Sequence, residues 1–373
     1  MSLLIGADLV PTESNFDLFK NGYATELIGA ELVSKLGSAD YRIFNLEVPL
    51  TDSISPIDKC GPNLIAPTST IQGIKNIGVD LFTIANNHIM DQGLQGLEST
   101  IKCLETNSIS FVGAGANLSE ASKPYVIERK GKKIGIYACA ENEFSIATAA
   151  LPGANPYDPL ESFDHVTDLK RVCDFVIVLY HGGKEHYRYP SPLLQKACRK
   201  FIFKGADLVI CQHSHCIGCE EKYNGGTIVY GQGNFLFDYS SSEYWQTGLL
   251  VELDDSFNIS YIPLCKDANK VRLASGDVGE RILTDFYNRS EEIKQEGFIE
   301  SSYAYFAKSM IETYLFRASA IKNSLPYRAL NKLCGHKLTR WIIDYKYKKA
   351  QKLVLRNFIE CEAHRELFIK GLE

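Results

Sequence analysis

The sequence predicts an α/β fold, a layered β-sheet core flanked by helices and followed by a helical C-terminal region. Three observations predict it. Short apolar runs alternate with helical patterns up to about residue 235, and those runs end in polar or glycine residues. Beyond about residue 272 only the three- and four-residue apolar spacing of helices remains. A length of 373 residues suits about two domains, and the change of pattern divides the chain into 1–270 and 271–373.

The first strand is LLIGADLV, because MSLLIGADLV lacks the basic and long apolar segments of a secretory signal. DYRIFNLEV, DLFTIANN, FVGAG, KKIGIYACA, CDFVIVLYH, ADLVICQH and TIVYGQGNF follow as strands, with helices expected over Ala24–Leu36, Gln92–Asn107 and Pro192–Lys204. Trp245–Pro263 reads as a hairpin closing the domain. Helical spacing then recurs over Ile282–Asn288, Tyr303–Phe316, Tyr327–Cys334 and Leu338–Phe368.

A content of 45% hydrophobic and 23% charged residues excludes a disordered chain. No apolar run approaches the roughly 18 residues of a membrane span. Eleven cysteines read as free buried thiols in a reducing cytoplasm. The net charge of −5 is unevenly spread: residues 317–373 hold 13 Lys+Arg against 5 Asp+Glu, and residues 1–316 hold 27 against 40. Nucleic acid is not an expected partner, since the acidic body repels phosphates.

Polar groups recur where apolar strands end: Asp8, Glu47, Asn87 with His88, His181, and His213 with His215. In α/β sheets the site lies beyond the carboxyl ends of the strands. Alone, each residue is ordinary, an Asp as a turn residue or a His as a packed imidazole. Together, imidazoles, carboxylates and an amide oxygen form a mixed N/O set suited to one or two divalent ions, Mn, Fe or Zn. A carboxylate shared by two ions is an arrangement used for phosphoester hydrolysis.

At these residues the chain resembles the calcineurin-like metallophosphoesterases and, more narrowly, the CapA family of capsule and poly-γ-glutamate synthesis proteins. GADLVPT, FNLEVPL, ANNHIMDQGLQGLEST, FVGAGANLSEASKP, VIVLYHGGKEHYRYP, GADLVICQHSHCIG and VYGQGNFLFD carry the resemblance across roughly residues 3–240. It implies a metallophosphoesterase-like core and a role for each residue. Asp8 and His215 would bind one metal, Asn87, His181 and His213 a second, and Glu47 would bridge them. His88 would protonate the leaving oxygen, and Asp91 would hold its ring in one tautomer. Glu185, matching the family's HxGxE glutamate, and His186 would face the cleft, while Arg188 would grip an anionic substrate. Asn45 belongs to the second motif, and Asn234 and Asp238 would order the loop around His213. Two departures are visible. The broad pattern has a histidine two residues after the first Asp, where this chain has Val10. Its Gly-Asp motif is here Asn45-Leu46-Glu47.

Three readings of function stand at this point. One is a phosphoester hydrolase of cell-surface polymer metabolism. Another is a non-catalytic accessory that binds an anionic polymer or a partner in a capsule-assembly complex. The third is hydrolysis or transfer at an amide of an acidic polymer. A separate zinc site built on Cys211, Cys216 and Cys219 is a rival use of CQHSHCIGC. The basic stretch Lys337–Lys352, interleaved with Trp341, Ile342, Ile343, Tyr345 and Tyr347, reads either as a solvated helix face or as a peripheral contact with anionic membrane.

Overall fold

The computed structural model describes residues 2–321, 324–335 and 337–372. The chain forms two compact units, Met1–Glu300 and Ser301–Glu373. The first unit therefore runs past residue 270. The reason is the helix Gly276–Glu292, whose Ile282 and Phe286 are buried in the same core as strand residues Leu3 and Ile5.

Two large sheets build the first unit, and a two-stranded sheet pairs Ala114–Gly115 with Gly153–Ala154. The larger runs Lys270–Leu273, Ile259–Asp267, Thr247–Leu253, Leu3–Leu9, Tyr41–Leu46, Leu81–Thr83 and Ser110–Val112, with Asn234–Leu236 also paired to Leu3–Leu9. The smaller runs Glu220–Tyr223, Gly226–Val229, Leu208–Gln212, Phe175–His181, Lys132–Ala140 and Tyr125–Arg129. The period-two alternation of the strands sets the layers. Leu3, Ile5, Ile43 and Leu81 of the first sheet share a core with Ile136, Ile177, Leu179 and Ile210 of the second. The opposite faces bury Leu4 and Phe44 against helix residues Leu27, Leu32, Leu97 and Leu104, and Val176 and Val178 against Phe163, Phe201 and Ile202. The order of layers is helix, sheet, sheet, helix.

Parallel pairing sends the chemistry-bearing strand ends to one edge. Leu3–Leu9, Tyr41–Leu46 and Leu81–Thr83 are parallel neighbours, as are Lys132–Ala140, Phe175–His181 and Leu208–Gln212. Helix Pro192–Phe203 forms where expected, with Pro192 in its first turn and the Ser191 hydroxyl accepting from the Leu194 amide at 3.2 Å. The expected helix Ala24–Leu36 is instead two helices, Ala24–Ile28 and Ala30–Gly37, because Gly29 at φ 80° breaks the ladder between them. FVGAG divides into the short strands Ser110–Val112 and Ala114–Gly115.

In the second unit the continuous helix expected over Leu338–Phe368 is three: Lys337–Lys346, Lys349–Glu360 and Glu362–Leu372. Its small core holds Leu315, Ile343 and Tyr347, while Leu353, Ile359, Leu367 and Phe368 stay exposed. Among the described residues no helix is long and apolar enough to cross a membrane.

Candidate functional site

Asp8 lies near the end of the first strand and Glu47 directly after Tyr41–Leu46, with His181 the last residue of Phe175–His181. His213 and His215 follow Leu208–Gln212 in a loop in which both adopt left-handed backbone, φ 79° and 53°. Non-glycine residues rarely hold that conformation, and each costs about 1–3 kcal/mol. The two imidazoles therefore reach the site by a strained loop. Gly231 lets the neighbouring GQGN segment pack on this loop: a Cβ there would lie 2.8 Å from the Ser214 hydroxyl and 2.7 Å from the Cys216 carbonyl.

The six expected ligands converge. Glu47, His181 and His213 bring one ligand atom each within 4.8 Å of one another, as do Asp8, Glu47 and His215, so Glu47 is common to both groups. Around His181 Nε2 stand Asn87 Oδ1 at 3.0 Å, His213 Nδ1 at 3.1 Å and Glu47 Oε1 at 3.2 Å. Two donors each about 2.0–2.2 Å from a shared ion at right angles would be about 3 Å apart, so this spacing fits a cation. A proton on Nε2 can serve one of the three neighbours, whereas a cation serves them all. On the other side His215 Nδ1 lies 3.5 Å from Asp8 Oδ2 and 2.8 Å from Asn234 Oδ1.

Unpartnered oxygens make the same point. Asp8 Oδ2 and both carboxylate oxygens of Glu47 are buried without a hydrogen-bond partner; the Glu47–His181 approach is close but not aligned as a hydrogen bond. Leaving a buried ionised carboxylate unpaired is costly, so the fold by itself disfavours the charge. Burial, and then the Asp8 charge, push Glu47 up to about 8. Burial would raise Asp8 too, but the His215 ring 3.5 Å away, the nearby imidazole charges and donation from Asn45 bring it below the usual carboxylate range. Burial takes His181 down to about 4 and His213 well below the ordinary imidazole value, which keeps their lone pairs free near neutrality. His215 goes the other way: burial opposes its charge, yet Asp8, Glu47 and Asn234 raise it to about 9. A divalent ion would supply the positive charge that Asp8 and Glu47 lack.

Supporting side chains fix these groups. Asn45 Nδ2 donates to Asp8 Oδ1 at 2.8 Å and lies 3.2 Å from His181 Nδ1. His88 Nδ1 is 2.6 Å from Asp91 Oδ2, the contact expected of a ring held in one tautomer. Two expectations are corrected, the contact of Asp238 and the burial of every cysteine. Asn234 Oδ1 supports the loop of His213 and His215 through His215 Nδ1 at 2.8 Å, whereas Asp238 Oδ1 accepts from the Ser14 hydroxyl at 2.7 Å, because Asn234–Leu236 pairs with the first strand. His186 stacks on Tyr244 at 5.2 Å and accepts from Trp245 Nε1 at 3.0 Å, so an aromatic wall holds it. Arg188 donates to the Ile217 carbonyl at 3.2 Å and lies over Tyr244 at 4.9 Å. Cys211, Cys216 and Cys219 are buried free thiols outside both ligand groups, and not every cysteine is buried, since Cys60 and Cys334 are exposed. Glu185 is exposed, and its charge acts on His213 and His186.

Three contributors were not read from the sequence. Lys59, with its side chain only 3% exposed, pairs with Asp91 and lies 3.4 Å from His88 Nδ1. Asn86 donates to Asn45 Oδ1 at 3.0 Å and to the Leu46 carbonyl at 2.8 Å, tying two strand ends together. Trp245 packs 5.1 Å from the His215 ring and 4.8 Å from Phe237. The doubled Asn86-Asn87 was a usable signal; Lys59 sits in a segment with no periodic pattern, and Trp245 stood only as the first residue of the expected hairpin.

Known proteins resemble part of the chain. It is 30% identical over 227 residues to the capsule biosynthesis protein CapA of Bacillus anthracis, a match covering 58% of this chain and 55% of that protein. The PGA biosynthesis protein CapA of Bacillus subtilis is likewise 30% identical over 207 residues, 54% of each chain. The chain thus spans about half the length of the curated relatives it matches. A solved phosphatase from Mycoplasma pneumoniae covers 72% of this chain and 94% of its own at 16% identity, with a TM-score of 0.46. The model of the family described as bacterial capsule synthesis protein PGA_cap matches residues 6–239, which hold every candidate ligand. The chain belongs to that family.

Proposed function

We propose that the chain is a divalent-metal-dependent hydrolase, directed at a phosphoester, that acts in the biosynthesis of a capsule or another cell-surface polymer such as polyglutamate or polysaccharide. The observation that carries this reading is Glu47, buried, without a hydrogen-bond partner and common to both ligand groups. Asn87, His181, His213 and Glu47 would hold one ion, and Asp8, Glu47 and His215 a second. Bound Mn, Fe or Zn would supply Lewis acidity and positive charge toward a phosphoryl oxygen. The protein's own part follows from the contacts. Asp91 takes the Nδ1 side of His88, which leaves Nε2 to give a proton to the departing oxygen. Lys59 pairs with the same Asp91 carboxylate. Asn45 keeps Asp8 and His181 aimed at the same point.

A second reading, a non-catalytic accessory that binds an anionic polymer or the capsule-synthesis machinery, is favoured by one observation. Val10 is buried in the hydrophobic core where the broader pattern has a ligand, so the Asp8 side has few donors. Hydrolysis of a generic aryl phosphodiester with Mn²⁺ separates the two: the hydrolase reading expects turnover that chelation abolishes, and no turnover in a metal-loaded chain contradicts it. Eleven free cysteines support a reducing, cytoplasmic compartment. The basic C-terminal helices with exposed Leu353, Ile359 and Phe368 support a peripheral contact with anionic membrane.

A further inference from the structure

A cavity of about 300 Å³ has Arg188, Glu243, Arg281, Asp285 and Arg289 in its lining. Three arginines meet two acids there. The guanidiniums of Arg188 and Arg289 are fixed by single bonds to backbone carbonyls, Ile217 at 3.2 Å and Gly218 at 2.8 Å. Among the described residues neither Arg281 nor Arg289 has a carboxylate within 4.0 Å, and Arg188 reaches only Glu243, at 4.0 Å and 77% exposed. Each guanidinium carries five N–H donors, so most remain available to a ligand. Burial and the charge of Arg188 both act against the charge of Arg289, a repulsion that an anion between them would relieve. Arg281, Asp285 and Arg289 recur every four residues on the helix Gly276–Glu292 and so share one face.

We propose that this cavity is an oxyanion-binding subsite that takes a carboxylate or phosphate of the substrate. Its place in the molecule supports a substrate group. Arg188 lies over Tyr244, Tyr244 stacks on His186, His186 accepts from Trp245, and Trp245 packs on His215. A continuous series of rings therefore connects the arginines to the ligand groups, as suits a charged polymer held at two points. Arg281 and Arg289 also lie outside residues 6–239, so the subsite is built partly from a helix beyond the matched family region. The assignment to substrate rests on the hydrolase reading; oxyanion binding itself does not.

The test is titration calorimetry, in the presence of chelator, on the full chain carrying His213→Ala, which removes one metal ligand, with inorganic phosphate and separately with a tetraglutamate peptide. We expect saturable binding of at least one probe, weakened about tenfold or more by Arg281→Glu, a change at an exposed position, and again by Arg289→Lys. Binding of phosphate alone, or of the peptide alone, supports the subsite and identifies the group it takes. Failure of both probes to bind, or binding that neither arginine substitution weakens, overturns it. Absence of phosphodiesterase activity in the metal-loaded parent chain would sink the hydrolase reading and leave this result standing.

Discussion

Glu47 stands at the centre of the site because its two oxygens have no partner within the protein. The ligands around it make unequal predictions. His213→Ala removes a neutral imidazole that faces His181 Nε2 at 3.1 Å, so elemental analysis should show one ion fewer or an ion held far more weakly. Metal content unchanged in that variant would favour the accessory reading. His88 is a different case, since its Nδ1 is committed to Asp91 and it belongs to neither ligand group. His88→Asn should keep fold and metal but lose roughly 10²–10⁴-fold in rate. The loss should shrink for aryl esters, because an aryloxide departs without a proton. Equal losses for aryl and alkyl esters would mean that His88 only positions the phosphoryl oxygen.

At the scale of elements, the strand ends were legible because parallel strands buried on both faces must stop at polar residues, and Asp8 and His181 mark those stops. The division into two sheets was not legible, since which strand pairs with which is a long-range property that periodicity does not carry. Local breaks were missed for a related reason: Gly29 interrupts an apolar pattern that continues through it. Lys59 was missed because it lies in the irregular segment 51–67, whose path depends on contacts such as the Leu64 amide with Asp91 Oδ2 at 2.6 Å. The C-terminal helices matched their amphipathic reading in kind but not in length. Trp341 stacks on Tyr345 at 5.8 Å, and both are exposed beside basic residues. The full chain should therefore sediment with phosphatidylserine vesicles at low salt and be released by about 0.5 M salt, as surface charge interactions are screened. Charge reversal at Lys348, Lys349 and Lys352 should reduce that binding; equal binding to neutral vesicles would contradict a charge-driven contact.

For the molecule as a whole, the site links stability to pH and to metal. Glu47 rises from 4.5 to about 8 and His215 from 6.5 to about 9, so the folded chain holds both protons more tightly than the unfolded one. Their contributions are present at low pH and are lost as pH rises through those values. His181, lowered from 6.5 to about 4, acts oppositely, adding stability as pH rises from 4 to 6.5. The metal-free protein should thus lose thermal stability between pH 7 and 9. A divalent ion must displace the protons of Glu47 and His215, so its affinity should grow over the same range. Calorimetry in two buffers of different ionisation enthalpy should then register proton release at pH 7, and its absence would contradict these assignments. The most direct test of the central claim is Mn²⁺ titration of the purified, chelator-stripped chain and of Glu47→Gln at pH 8. The account predicts saturable binding that raises the melting temperature of the parent. In Glu47→Gln it predicts a loss of affinity beyond the roughly 10–100-fold that removal of an outer-shell partner costs. A parent that binds no ion, or a Glu47→Gln chain that binds as the parent does, would contradict it.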